Sequence, residues 1–181
     1  MNERKRQEWI AEGYQLVAQN GFERLTVKLI CRMVAKSKSS FYHYFGELEL
    51  FKDALLTHHA KRAHQFARDI DACQQVEPDL VTVLMDYRTD IFFYKQVRMY
   101  RDHSTYKKYG QQIFDLYENA VLEKWVDYFK LNDRPLFARK FNKFLSEHFL
   151  MSISFDTYTR DWLKNYLFEL WEMVHQLKKG N

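Results

Sequence analysis

A chain of 181 residues suffices for one or two small domains with a sizeable core. Five glycines, two prolines, 17% aromatic and 46% apolar residues describe a compact helical chain without low-complexity segments. The net charge of +4 lies wholly in residues 1–46, where eight Lys/Arg face four acids, while the remaining residues balance at twenty of each sign. No apolar run reaches the length of a membrane span, about 18 residues, and the charged start MNERKRQEW carries no signal-peptide core. Cys31 and Cys73 stand alone, without CxxC or Cys/His ligand spacing. The expectation is a cytoplasmic protein with reduced thiols, no metal, no cofactor and no membrane partner.

Residues 3–19 read as a first helix, with Trp9, Ile10, Tyr14 and Val17 on one side and Asn20-Gly21 as its stop. Thr26 can cap a short second helix carrying Ile30, Met33 and Val34. The pattern breaks at Ala35 and Lys36, and Ser37 can cap a third helix that runs to Phe45 and ends at Gly46. Leu48, Phe51, Leu55 and His59 open a longer stripe, from Glu47 to Asp71, that is the one obvious continuous link to the rest of the chain. Glu77-Pro78-Asp79 is a break, after which Leu80, Leu84, Tyr87, Ile91 and Tyr94 recur at helical steps. Val97, Met99, Tyr100 and His103 form a shorter segment, and Ile113, Phe114, Tyr117, Val121, Trp125 and Phe129 mark a long helix. Two strong stripes close the chain: Phe137, Phe141, Phe144, His148, Met151 and Phe155, then Leu163, Leu167, Leu170, Val174 and Leu177. No strand alternation and no internal repeat occurs, so the fold class is all-α with about nine helices.

The stretch Lys36–Phe45, KSKSSFYHYF, holds two lysines, three serines, two tyrosines and a histidine, and no acid. A helix that enters a DNA major groove needs side chains that meet phosphates and base edges without a carboxylate between them. A short amphipathic helix with a packed aromatic face explains Phe41 and Phe45. It leaves Ser37, Lys38, Ser39, Ser40, Tyr42 and His43 on the other faces unexplained. An all-helical interaction module without DNA binding is the alternative, and it predicts no salt-dependent affinity for DNA.

Gly21, Phe22, Thr26, Ile30, Ser37, Lys38, Tyr42 and Phe45 stand where the signature of TetR/AcrR-type transcriptional regulators has them, so the first 50 residues resemble that family. The resemblance implies an N-terminal three-helix bundle with a helix-turn-helix, residues 1–46, and a helical effector-binding and dimerisation domain, residues 47–181. It implies a double-stranded operator as partner, repression as the usual outcome, and DNA contacts from Thr26, Lys28, Lys36, Ser37, Lys38, Ser39, Ser40, Tyr42, His43, Tyr44 and Lys52. The chain departs from the pattern at Ala35, Lys36, Ser39 and Glu47, and at Leu48, where the family often has a phosphate-binding lysine that Lys52 or Lys28 would replace.

Both closing helices carry a second apolar row: Leu145, Phe149 and Ile153 on one, Trp162, Tyr166, Trp171 and Met173 on the other. Helices apolar over so wide an arc bury two faces. Either the hairpin lies deep within a monomer, or two copies form a four-helix bundle, as the resemblance also implies. On the second reading Phe137, Phe141, Phe144, Phe149, Trp162, Tyr166, Leu170, Trp171 and Val174 form a homodimer interface. Two copies would set reading helices about 34–36 Å apart on a palindrome. The middle helices are rich in aromatic and polarisable groups, and Tyr87, Ile91, Met99, Tyr100, His103, Phe114, Tyr117, Trp125 and His148 are the candidates to line a site for a small apolar or aromatic effector. A solid Tyr- and Phe-rich core is the competing account. No nucleophile–base pair, carboxylate pair or glycine-rich phosphate loop stands at catalytic spacing, so no enzyme is expected.

Overall fold

The computed structural model describes residues 3–100 and 104–179, and these residues form nine α-helices and no strand. They are α1 Glu3–Asn20, α2 Val27–Met33, α3 Lys38–Phe45, α4 Leu48–Ala72, α5 Val81–Asp86, α6 Arg88–Met99, α7 Ser104–Tyr128, α8 Pro135–Ser152 and α9 Arg160–Lys179. A single 3-10 turn, Phe22–Arg24, separates α1 from α2. The chain divides into two compact units, one of residues 1–64 with 88–113, the other of residues 65–87 with 114–181. Both α4 and α7 continue from one unit into the other, so the sequence showed only one of two continuous connections.

In the first unit α1 packs chiefly on α6 and braces α2 and α3. The core there is aromatic: Trp9 meets Phe41 and Phe45 edge-on, with ring centroids 5.6 and 6.4 Å apart, and Phe51 of α4 closes on both. Gly13 makes the α1–α4 approach feasible, since a Cβ there would stand 2.5 Å from the Phe51 ring. His59, in the apolar stripe of α4, is completely buried and joins a polar chain across three helices. The Tyr14 hydroxyl lies 2.6 Å from His59 Nδ1 and donates to Asp90 Oδ1 at 2.8 Å, and the Arg62 guanidinium grips both oxygens of Asp90.

In the second unit the apolar core includes Ile70, Leu80, Val81, Leu145, Ile153 and Leu163. Lys124 donates to the carbonyls of Asp71 and Cys73, at 3.0 and 2.8 Å, and so covers the C-terminal end of α4. The Asp79 carboxylate accepts from the backbone of Gln74 and Gln75 in the loop that follows. The stripe Leu80–Tyr94 is two helices, because the backbone leaves helical geometry at Tyr87, between α5 and α6. The long helix expected from Ile113 begins earlier, at Ser104.

Candidate nucleic-acid interface

The second and third helices are set by their caps. Thr26 Oγ1 accepts from the Leu29 amide and Ser37 Oγ from the Ser40 amide, each at 3.2 Å, which satisfies one free donor at each start. Between them the Lys36 amide reaches back to the Cys31 carbonyl at 2.9 Å, and Ala35 takes a left-handed conformation with φ of 54°. That geometry favours glycine, so the alanine carries strain of about 1 kcal/mol. Gly46, at φ 73°, ends α3 by donating to the Tyr42 carbonyl. The outcome is a helix, a tight turn and a second helix.

Phe41 and Phe45 point into the core, and the rest of α3 does not. Lys38, Ser39, Tyr42 and His43 are exposed, Tyr42 with 49% of its surface free, while Ser40 and Tyr44 are half-buried. Within the described residues the Lys38 ammonium and the Tyr42 hydroxyl have no bonding partner. Lys28, on α2, is also exposed. Four of the other expected contacts are engaged. Lys36 is half-buried and pairs with Glu8 of α1, which holds the Glu8 carboxyl below its usual range. Lys52 pairs with Glu49, one turn earlier, at 2.7 Å, and Thr26 and Ser37 each accept one cap bond while keeping the hydroxyl proton to donate. Arg6, in the first turns of α1, lies beside α3. Its guanidinium lies 5.2 Å from the centre of the Phe45 ring, so α1 is tied to the end of α3.

The remaining candidates are spread over both units. Ile91, Met99 and Tyr100 belong to the first, with Met99 66% exposed, and His103 lies outside the described residues. Tyr87, Phe114, Tyr117, Trp125 and His148 belong to the second. There Tyr87 stacks on Phe66 while Tyr117 meets the same ring edge-on, and the Tyr87 hydroxyl donates to Asp69 at 2.6 Å. A cleft of about 390 Å³ in this unit is lined by Cys73, Gln74, Gln75, Val76, Lys124, Asp127 and Tyr128, none of them an expected effector contact. Among the described residues no cluster of three metal-ligating side chains occurs, and no helix is long and apolar enough to cross a membrane.

On α8 and α9 the expected interface residues fall into two groups. Phe141, Tyr166, Leu170 and Val174 are buried within the subunit, and Phe149, Trp162 and Trp171 are half-buried. Phe137 and Phe144 are 46% and 55% exposed, and with Met151, 82% exposed, and His148 they make a continuous surface stripe. A ladder of rings follows it from Phe137 through Phe141, Phe144 and His148 to Tyr166 and Trp162 of α9, and His148 Nδ1 lies 2.9 Å from the Tyr166 hydroxyl.

Residues 10–56, which contain this helix-turn-helix, match the model of the bacterial regulatory proteins of the tetR family. The chain carries a TetR-family DNA-binding domain. A crystal structure assigned to the TetR family of transcriptional regulators, from Rhodococcus sp., has the same fold over 94% of this chain and 98% of its own, with a TM-score of 0.60 and 13% identity. No curated protein matches. The TetR-type helix-turn-helix is the DNA-binding element of a transcriptional regulator, and α3 is its second helix.

Proposed function

We propose that this regulator is a cytoplasmic homodimeric repressor that holds a palindromic operator through two copies of α3 and releases it when a small apolar or aromatic compound binds. Residues 1–46 act as the DNA-binding part and residues 47–181 as the effector-binding and dimerisation part. The observation that carries this reading is the face of α3. Four polar side chains of a firmly capped helix, Lys38, Ser39, Tyr42 and His43, stand in solvent while Phe41 and Phe45 anchor it from behind. Lys38 and Ser40 meet base edges or adjacent phosphates, Tyr42 and His43 bond phosphates, and Thr26 and Lys28 hold the other strand. The exposed stripe Phe137–Met151 is the surface a second copy would cover. An effector acts only through different affinities for the DNA-bound and released arrangements.

A gel shift on the DNA flanking the protein's own gene, at two salt concentrations, tests the reading. Affinity should fall steeply with salt, because each phosphate contact releases counterions. A flat dependence would return the chain to an interaction module.

A further inference from the structure

Lys36 sits in the turn between α2 and α3, one residue before the Ser37 cap, and its backbone is held there by the bond from its amide to the Cys31 carbonyl. Its side chain serves neither helix of the motif. It crosses to α1, where the ammonium pairs with the Glu8 carboxylate. Both ends stay within reach of solvent, with 27% of the Lys36 side chain and 47% of the Glu8 side chain free. Arg4 and Lys5, one turn before Glu8, share its side of α1 and are exposed. The neighbouring acids are placed otherwise. Glu3 accepts from Gln7 and lies 4.0 Å from Arg6, and Glu12, exposed one turn further along α1, has no bonding partner among the described residues. Glu8 is thus one carboxylate facing three cations, Lys36, Arg4 and Lys5.

A carboxylate among three cations has the surroundings of a DNA phosphate. Reading helices approach base edges with their N-terminal residues, and Lys36 directly precedes those of α3, where Ser37, Lys38 and Ser39 are exposed. An ammonium on a flexible stem can turn from one anion to another without moving the backbone. An exposed ion pair is screened and weak, whereas a phosphate contact also releases counterions from the duplex, a gain that Glu8 cannot offer. DNA therefore wins Lys36, and Glu8 is left to Arg4 and Lys5. The affinity is still lower than it would be without the pair. The reduction is the same on every sequence, because a phosphate carries no base identity.

We propose that Glu8 is a built-in competitor of DNA for Lys36: in the free protein its carboxylate holds the ammonium in place of a phosphate, and on binding Lys36 exchanges Glu8 for the DNA backbone. The proposal rests on the DNA-binding reading above, and it adds a residue of α1 that sets the level of affinity without touching DNA.

The test is a double-mutant cycle on the full chain, with Glu8→Gln, Lys36→Met and both together. Binding is read by fluorescence anisotropy over a range of salt concentrations, on the fragment flanking the protein's own gene and on an unrelated fragment of equal length. Glu8→Gln should tighten binding several-fold on both fragments. Lys36→Met keeps the aliphatic stem and should weaken both, flattening the log-log salt dependence by about one unit. In the Lys36→Met background Glu8→Gln should bring no gain, and Glu12→Gln, which removes the same charge without a bond to Lys36, should leave the affinity of the wild type unchanged. Weaker or unchanged binding by Glu8→Gln would overturn the proposal, since the carboxylate would then position Lys36 or never release it. An equal gain in the Lys36→Met background, or from Glu12→Gln, would also overturn it, leaving only a bulk charge effect. Wild-type protein without salt-dependent DNA binding would sink the DNA-binding reading itself, a different failure. Should Lys36→Met not fold, Lys36→Gln takes its place in the cycle with the same outcomes.

Discussion

Lys38 and Tyr42 are exposed, and among the described residues the Lys38 ammonium and the Tyr42 hydroxyl have no bonding partner. The Tyr42 ring does rest edge-on against Phe41, at 5.6 Å, so its hydroxyl and its ring have separable roles. Tyr42→Phe keeps the ring contact and removes only the hydroxyl. The expected result is operator binding weakened by about tenfold, the worth of a hydrogen bond to a charged phosphate, with an unchanged melting temperature. Lys38→Ala should weaken binding on all sequences and flatten the log-log salt dependence by about one unit if its partner is a phosphate. A drop in melting temperature for either variant would assign the residue to packing instead. Thr26, Ser37 and Gly46 were readable as boundaries because a cap depends on its own next few residues. The engagement of Lys36 was not readable, since Glu8 is 28 positions away and becomes a neighbour only when α1 packs.

At the level of elements, α1, α4 and α6 are held by the chain Tyr14, His59, Asp90 and Arg62, and its weak point is titration. Burial, assisted by the charges of His58 and Arg62 and opposed by Asp90, pushes His59 down from 6.5 to about 3. The unfolded chain therefore takes up this proton near pH 6.5 and the folded one only near 3, so His59 costs nothing above 6.5 and drains stability as the pH falls below it. Between pH 7.5 and pH 5 the loss from this group should be about 2 kcal/mol. Urea melts at both pH values, on the wild type and on His59→Leu, check it. The variant is less stable at neutral pH but should lose that part of the pH dependence, and equal slopes for both proteins would refute the assignment. The sequence placed His59 in an apolar stripe and went no further, because Tyr14 and Asp90 come from distant helices. It also ran α5 and α6 together, since the four-and-three spacing of Leu80, Leu84, Tyr87, Ile91 and Tyr94 continues across a backbone break that periodicity does not register. Spacing reports which face is apolar and is silent about whether the axis is straight.

For the whole molecule the question is what a single subunit can do to DNA. One α3 offers a handful of groups, and a site read by so few contacts discriminates weakly, whereas two copies on a rigid frame double the phosphate contacts and impose a half-site spacing. The α8 stripe is where that frame would be made or lost. It extends about 21 Å from Phe137 to Met151, and its side chains are too exposed to contribute much to the subunit's own core. Phe144→Glu places a charge at its midpoint, which solvent accepts and an apolar interface does not. The variant should remain folded by circular dichroism and sediment as a monomer. Its affinity for an isolated half-site should match that of the wild type, while on the full palindrome the salt dependence should fall to about half, because half the phosphates are neutralised. A variant that still sediments as a dimer would move the interface off this stripe, and one that unfolds would make Phe144 part of the subunit core despite its exposure. A monomer that keeps the full palindrome affinity and the full salt slope would show that duplication of α3 is not what the operator requires.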